Sequence, residues 1–327
     1  MTQCSVFRQI QAISPQPIAP TYTLCVSISP TNPSSAKTSD SGLPEPITLK
    51  TLKRMKRQGE PFACLACYDA TTARWLERAG VHLLLAGDSA AQVILGHDRT
   101  IDMPIDFAIE ITAAIKRGAP HTLIMADMPF MSYHTSLETA MTNAARFMTQ
   151  GCADVIKLET DETFAPLVDR MTRAGVPICA HIGCKPQSSS VTGGPIAAGR
   201  TATQLDQLVR DAIVLEQSGA VLILIEAVPE EATQAVMAAV SVPVIGIGAG
   251  SACDGQILVV NDLLGLTDEP PRFAQAVDSF GNRLKEAGQQ WVTRVSNRSI
   301  GGQAYSMRPG ESEKIQSKSN TATPIDR

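Results

Sequence analysis

Four acids, one lysine and one histidine stand at the ends of short apolar runs, and their types suit cation binding combined with proton transfer. Asp88 and Ser89 follow His-Leu-Leu-Leu-Ala-Gly, Asp127 ends Thr-Leu-Ile-Met-Ala, and Asp-Val-Ile-Lys-Leu-Glu carries Lys157 and Glu159. His181 and Glu226 close two further runs. Crowded carboxylates repel and cost stability unless a cation neutralises them. Mg²⁺, a hard ion that prefers oxygen ligands, does this naturally. Asp88, Asp127 and Glu159 are therefore read as the metal group. Glu226, from a more distant run, is left free to take a proton. The ion would polarise a ketone oxygen and stabilise the enolate formed when the neighbouring carbon loses its proton. Lys157 adds positive charge for a substrate carboxylate or developing oxyanion, and Ser89 adds a hydroxyl and a backbone N–H. The residues alone describe a Mg²⁺-dependent enolising enzyme acting on a small oxo acid, and spacing does not identify the partner electrophile. Taken singly, each acid could cap a helix, and His181 could be a core histidine. The argument rests on their sharing one end of neighbouring strands.

Short apolar runs at 62–67, 82–87, 122–126, 154–158, 177–182, 221–225, 243–247 and 256–260 are the elements that would hold these groups. Helical spacing fills 70–79, 105–116, 136–150, 162–174, 201–218 and 230–240. Such alternation predicts a parallel sheet covered by helices. Eight units in one stretch of this length predict an α/β fold, a (β/α)₈ TIM barrel, whose chemistry gathers at the carboxyl ends of the strands. Tyr68-Asp69-Ala70-Thr71-Thr72 follows the first run and lacks the glycine-rich turn of an open dinucleotide-binding sheet. Lys157 and Glu159 are two apart and project to the same side. A helix precedes the barrel, capped by Thr48, with Leu49, Leu52 and Met55 on one stripe and Gly59 ending it.

The domain layout is a disordered extension at 1–46, a catalytic barrel at 47–296 and a flexible tail at 297–327. The extension holds seven of the 21 prolines and eight serines without any persistent period, a composition that cannot offset its ordering entropy. A net charge of −4 over 327 residues argues against a general nucleic-acid surface. No apolar run is long enough to span a bilayer. A cytoplasmic setting is expected, with a mitochondrial one as the alternative. Cys64-Leu-Ala-Cys67 reads as core filling, because strand positions three apart diverge. The basic stretch Lys50, Lys53, Arg54, Lys56, Arg57 reads as a solvated face. Gly246-Ile-Gly-Ala-Gly250 reads equally as a phosphate cradle or a tight turn.

At these residues the chain resembles the ketopantoate hydroxymethyltransferase family. The matching stretches include Ala86-Gly-Asp-Ser89, Ala126-Asp-Met-Pro-Phe130, Val155-Ile-Lys-Leu-Glu159, Ala180-His-Ile-Gly183 with Pro186-Gln-Ser188, Glu226-Ala-Val-Pro229 and Pro243-Val-Ile-Gly-Ile-Gly-Ala-Gly250. The resemblance implies transfer of a one-carbon unit from 5,10-methylenetetrahydrofolate to 3-methyl-2-oxobutanoate, giving 2-dehydropantoate on the way to pantothenate and coenzyme A. It implies Mg²⁺ at Asp88, Asp127 and Glu159. It also implies oxo-acid contacts from Asp88, Ser89, Asp127 and Lys157, with His181 close by, and Glu226 as proton acceptor. It implies a homo-oligomer, often a decamer. Departures from the family pattern fall at Glu110-Ile111, Cys184-Lys185, Pro195–Ala198 and Asn261. Two alternatives stand beside it: a Mg²⁺-dependent lyase or mutase of the phosphoenolpyruvate mutase and isocitrate lyase type, and a non-catalytic barrel kept for binding or assembly.

Overall fold

The computed structural model describes residues 45–194 and 196–319. Of the extension at 1–46 only the last two residues are described, and the tail beyond Ser319 lies outside as well. The strands are β1 (Phe62–Ala66), β2 (Leu83–Ala86), β3 (Leu123–Asp127), β4 (Val155–Glu159), β5 (Ile178–Gly183), β6 (Leu222–Glu226), β7 (Val244–Ile247) and β8 (Gly255–Val259). All pair in parallel in chain order, and β8 closes on β1. The expected (β/α)₈ architecture is present, and each expected apolar run overlaps one strand. Every residue of β3 and β4 is buried, which explains why these strands read as continuous apolar runs broken only by groups bound for the site.

The helices are α1 (Leu49–Gln58), α2 (Ala70–Arg78), α3 (Ala90–Val93), α4 (Ile105–Gly118), α5 (Leu137–Thr149), α6 (Ala165–Arg173), α7 (Ser189–Thr192), α8 (Ala202–Gln217), α9 (Glu230–Ala239), α10 (Val260–Leu263), α11 (Phe280–Ser296) and α12 (Glu311–Ser319). Short polar residues start several of them. Thr48 caps α1, Ser136 caps α5 and Thr201 caps α8. The Asp69 carboxylate accepts from the backbone N–H groups of Thr71 and Thr72 at 2.8 and 2.9 Å, so the turn after β1 is a helix cap.

The first helix plugs the amino end of the barrel. Leu52 and Met55 are buried, and Lys56 donates to the Val242 carbonyl at 2.8 Å and to Asp254 Oδ2 at 3.1 Å. Asp254 also accepts from Val244 N–H. Lys56 thus ties α1 to the starts of β7 and β8, while Lys50, Lys53, Arg54 and Arg57 are exposed, as the solvated-face reading has them. The ring of covering helices is incomplete. Residues 248–254 join β7 to β8 without a helix, and no residue of α11 is buried. Ala63 on β1 and Gln256 on β8 are exposed in consequence. Within the tail α12 forms, wholly outside the core cluster.

Between β7 and β8 the glycine segment turns tightly, with Gly248 and Gly250 at φ of 58° and 77°. A Cβ at Gly248 would lie 2.5 Å from the Phe273 ring. Ser251 N–H and its hydroxyl both donate to Glu230 Oε1 at 3.2 and 3.0 Å, which pins the end of the turn to the start of α9. A second close approach sets helix packing, because a Cβ on Gly118 would meet the Ala70 carbonyl oxygen at 2.2 Å. Gly118→Ala is expected to force α4 away from α2 and cost roughly 1–3 kcal/mol. A urea midpoint equal to that of the unmodified chain would contradict this.

Candidate active site

Strand register brings the charged groups together. Asp127 pairs beside Lys157, and Glu159 beside His181, so each pair sits one strand spacing apart. Glu226 ends β6, opposite Gly183 of β5. Asp88 lies two residues past β2, in the turn that leads into α3. Asp88, Asp127, Lys157, Glu159 and His181 are all buried, while the Glu226 side chain is 18% exposed.

The contacts run as one chain through all six groups. Lys157 Nζ donates to Asp127 Oδ1 at 2.5 Å, and Asp88 N–H donates to Asp127 Oδ2 at 3.1 Å. Gln187 Nε2 donates to Asp88 Oδ2 at 2.9 Å, and Gln187 N–H to Glu159 Oε2 at 3.0 Å. His181 then lies between two acids, Nδ1 3.9 Å from Glu159 Oε1 and Nε2 3.3 Å from Glu226 Oε2. Neither ring nitrogen is aligned for a hydrogen bond, although both are close enough to feel the carboxylates. Ser89 is held by Tyr68, hydroxyl to hydroxyl at 2.7 Å. Every residue singled out for chemistry therefore reaches the same end of the barrel.

Four carboxylates face one ammonium here, and the titration behaviour shows the strain. Burial, then the neighbouring Asp127, pushes the Asp88 carboxyl up to about 7. Burial and Asp88 hold Glu159 well above the usual carboxylate range. Burial alone would lower the Lys157 ammonium, but Asp127, Asp88 and Glu159 together raise it, so it stays charged. Burial first, and Lys157 second, lower His181 and favour its neutral form. A site of this kind lacks positive charge, and its donors are hard oxygens. Among the described residues no group of three or more His, Cys, Asp or Glu side chains is placed to hold a metal ion by itself. That fits an ion taking only one or two carboxylates and keeping waters and substrate as its other ligands, as Mg²⁺ does. It does not fit a closed structural zinc centre.

Three residues at the site were not singled out in the sequence: Gln187, Tyr133 and Tyr68. Tyr133 accepts from Glu159 N–H at 3.1 Å, and its hydroxyl lies 3.0 Å from Gln187 Oε1. Gln187 did fall within a matched stretch, Pro186-Gln-Ser188, which was the available signal. The departures lie mostly away from these groups. Glu110 is exposed on α4 and pairs with Arg117 at 2.9 Å, and Lys185 pairs with Asp161 at 2.8 Å. Cys184 lies beside them, its N–H donating to the Glu226 carbonyl at 2.9 Å. Cys64 and Cys67 are buried free thiols, as expected of core filling.

A closed parallel barrel with buried acids at the carboxyl ends of its strands defines the class, a (β/α)₈-barrel enzyme. Solved structures share the fold. Phosphonopyruvate hydrolase, in its complex with oxalate and Mg²⁺, superposes with a TM-score of 0.54 at 13% identity, covering 84% of this chain and 98% of that one. A 2,3-dimethylmalate lyase gives 0.50 at 15% identity, covering 85% and 100%. Sequence carries the assignment further. The family model for ketopantoate hydroxymethyltransferase matches residues 46–302, and the chain belongs to that family. Among its relatives, the 3-methyl-2-oxobutanoate hydroxymethyltransferase of Halorhodospira halophila is 42% identical over 249 residues, 76% of this chain and 90% of the relative. That of Shouchella clausii is 41% identical over 259 residues, 79% and 93%. No helix among the described residues is long and apolar enough to cross a membrane.

Proposed function

We propose that the chain is a 3-methyl-2-oxobutanoate hydroxymethyltransferase that uses Mg²⁺ and takes its one-carbon unit from 5,10-methylenetetrahydrofolate, forming 2-dehydropantoate. One observation carries the chemistry: three of the acids are tied to donors, and the fourth is not. Asp127 is held by Lys157, Asp88 by Gln187, and Glu159 by the Gln187 N–H. Glu226 is partly open, and its neighbour His181, with Nε2 3.3 Å from Oε2, is not aligned for a hydrogen bond. Held carboxylates suit a cation, and a free one at the mouth suits proton transfer.

Asp88, Asp127 and Glu159 are the residues that would surround Mg²⁺, one or two of them binding it directly and the rest through its waters. When bound, its charge draws electrons from the 2-oxo group and makes the proton on the adjoining carbon easier to remove. Glu226 accepts that proton at its carboxylate. Lys157 spends one N–H on Asp127 and keeps two for the carboxylate of the oxo acid. Ser89, its hydroxyl fixed by Tyr68, offers a further contact to the oxo acid. Neutral His181 lies beside Glu226 and can turn one N–H toward it. A cytoplasmic setting and a homo-oligomer, up to a decamer, belong to the same reading and draw on the family alone.

The purified chain, supplied with 3-methyl-2-oxobutanoate, 5,10-methylenetetrahydrofolate and Mg²⁺, is expected to form 2-dehydropantoate. A chelator should stop product formation, and added Mg²⁺ should restore it. Product formation that ignores the chelator would remove the cation from the reading, and absence of product would remove the transferase.

A further inference from the structure

We propose that Gln187 is the positioning residue that sets the spacing and orientation of the cation-binding carboxylates, and that Tyr133 fixes Gln187 in turn. The inference rests on the assignment of Asp88, Asp127 and Glu159 to a Mg²⁺ site. Gln187 is buried in the short turn Pro186–Ser188 that follows β5. Its hydrogen-bonding groups are almost fully used. The amide nitrogen donates to Asp88 Oδ2 at 2.9 Å and to the Met128 carbonyl at 3.1 Å. The backbone N–H donates to Glu159 Oε2 at 3.0 Å. The amide oxygen faces the Tyr133 hydroxyl at 3.0 Å. One residue thereby braces the turn after β2, the segment after β3 and the end of β4 from the loop after β5.

The chemistry of the amide explains why glutamine suits this place. An amide nitrogen has no lone pair to give a cation, so Gln187 acts through the carboxylates and does not ligate. It engages one oxygen of each acid, Asp88 Oδ2 and Glu159 Oε2, and leaves Oδ1 and Oε1 for other partners. It separates two carboxylates with donors that carry no charge. A lysine in its place would neutralise them and compete with the cation. The Asp88 carboxylate and the Met128 carbonyl set the amide orientation, and the Tyr133 hydroxyl, shared between Gln187 Oε1 at 3.0 Å and the Glu159 carbonyl at 3.2 Å, completes it. With the amide reversed, its oxygen would face the Asp88 carboxylate and the Met128 carbonyl, two acceptors, and its nitrogen would lose both. The Tyr133 hydroxyl is itself anchored, accepting from Glu159 N–H at 3.1 Å, so the brace returns to the strand it positions.

The test compares wild type with Gln187→Met, which keeps the bulk and the backbone N–H but loses the amide, and with Tyr133→Phe. Calorimetric titration with MgCl₂ alone, without oxo acid, gives Kd for the cation. Loss of an outer partner of a metal ligand typically weakens metal binding by roughly 10- to 100-fold. An increase of that size is expected for Gln187→Met, and a smaller one for Tyr133→Phe. A second readout separates positioning from mere packing. With Mg²⁺ raised to saturation, hydrogen–deuterium exchange at the oxo-acid carbon next to the ketone should recover most of its wild-type rate in both variants. A packing defect would lower the rate at every Mg²⁺ concentration. If Gln187→Met binds Mg²⁺ as tightly as wild type, the inference is overturned; if that variant does not fold, an unchanged Kd in Tyr133→Phe overturns it equally. Wild type that fails to bind Mg²⁺ at all would instead sink the cation site on which the inference rests.

Discussion

Glu226→Gln is expected to abolish hydrogen–deuterium exchange at the oxo-acid carbon next to the ketone, while Mg²⁺ binding survives. The substitution keeps the shape of the side chain and removes only its ability to accept a proton. Loss of a positioned general base typically costs roughly 100- to 10,000-fold in rate. The carboxylates assigned to the cation have partners of their own, Lys157 and Gln187, and none of those contacts involves Glu226. Cation affinity and proton transfer should therefore separate in this variant. The exchange reaction needs no folate, so it reports the proton step apart from one-carbon transfer. Exchange that continues at the wild-type rate would remove Glu226 from its role. Exchange lost together with Mg²⁺ affinity would place Glu226 among the ligands instead.

The same division of labour shows which parts of the site local sequence could reveal. Strands buried on both faces must be apolar, so Lys157 and Glu159 stand out within Val-Ile-Lys-Leu-Glu, and alternation puts them on one side. The ends of β3 and β6 are equally plain, because Asp127 and Glu226 interrupt apolar runs where turns begin. Gln187 could not be found this way. Its partner Asp88 is 99 positions distant, and only closure of the barrel brings them together. Tyr133 and Tyr68 look like ordinary core aromatics until the atoms beside their hydroxyls are known. The role of Lys56 depended on Asp254 and the start of β8 lying beneath α1, which its basic neighbours conceal. The open sector beside β8 was partly legible, since seven residues between β7 and β8 leave no room for a covering helix. The helix α12 was not, because it buries no apolar face and so leaves no period to read.

Lys157→Met is expected to destabilise the cation-free protein by about 3–5 kcal/mol, the usual cost of leaving one partner of a buried ion pair behind. Among the described residues, one ammonium here faces four acids. Its contact with Asp127 is short, and both side chains are almost wholly buried. Asp88 is already pushed up to about 7 by burial and by Asp127, and Lys157 opposes that push. Without it, the carboxylates must take up protons or separate, and either response distorts the mouth of the barrel. Methionine fills a similar volume, so lost packing contributes little. A divalent cation supplies the missing charge from the same cluster. Stability lost in the variant should therefore return in part on adding Mg²⁺, by more than Mg²⁺ adds to wild type. Urea unfolding of both proteins, with chelator and with Mg²⁺, measures the four values required. Equal stabilisation of the two proteins by Mg²⁺ would show that the ammonium and the cation act at separate places, and the electrostatic account of this site would fail.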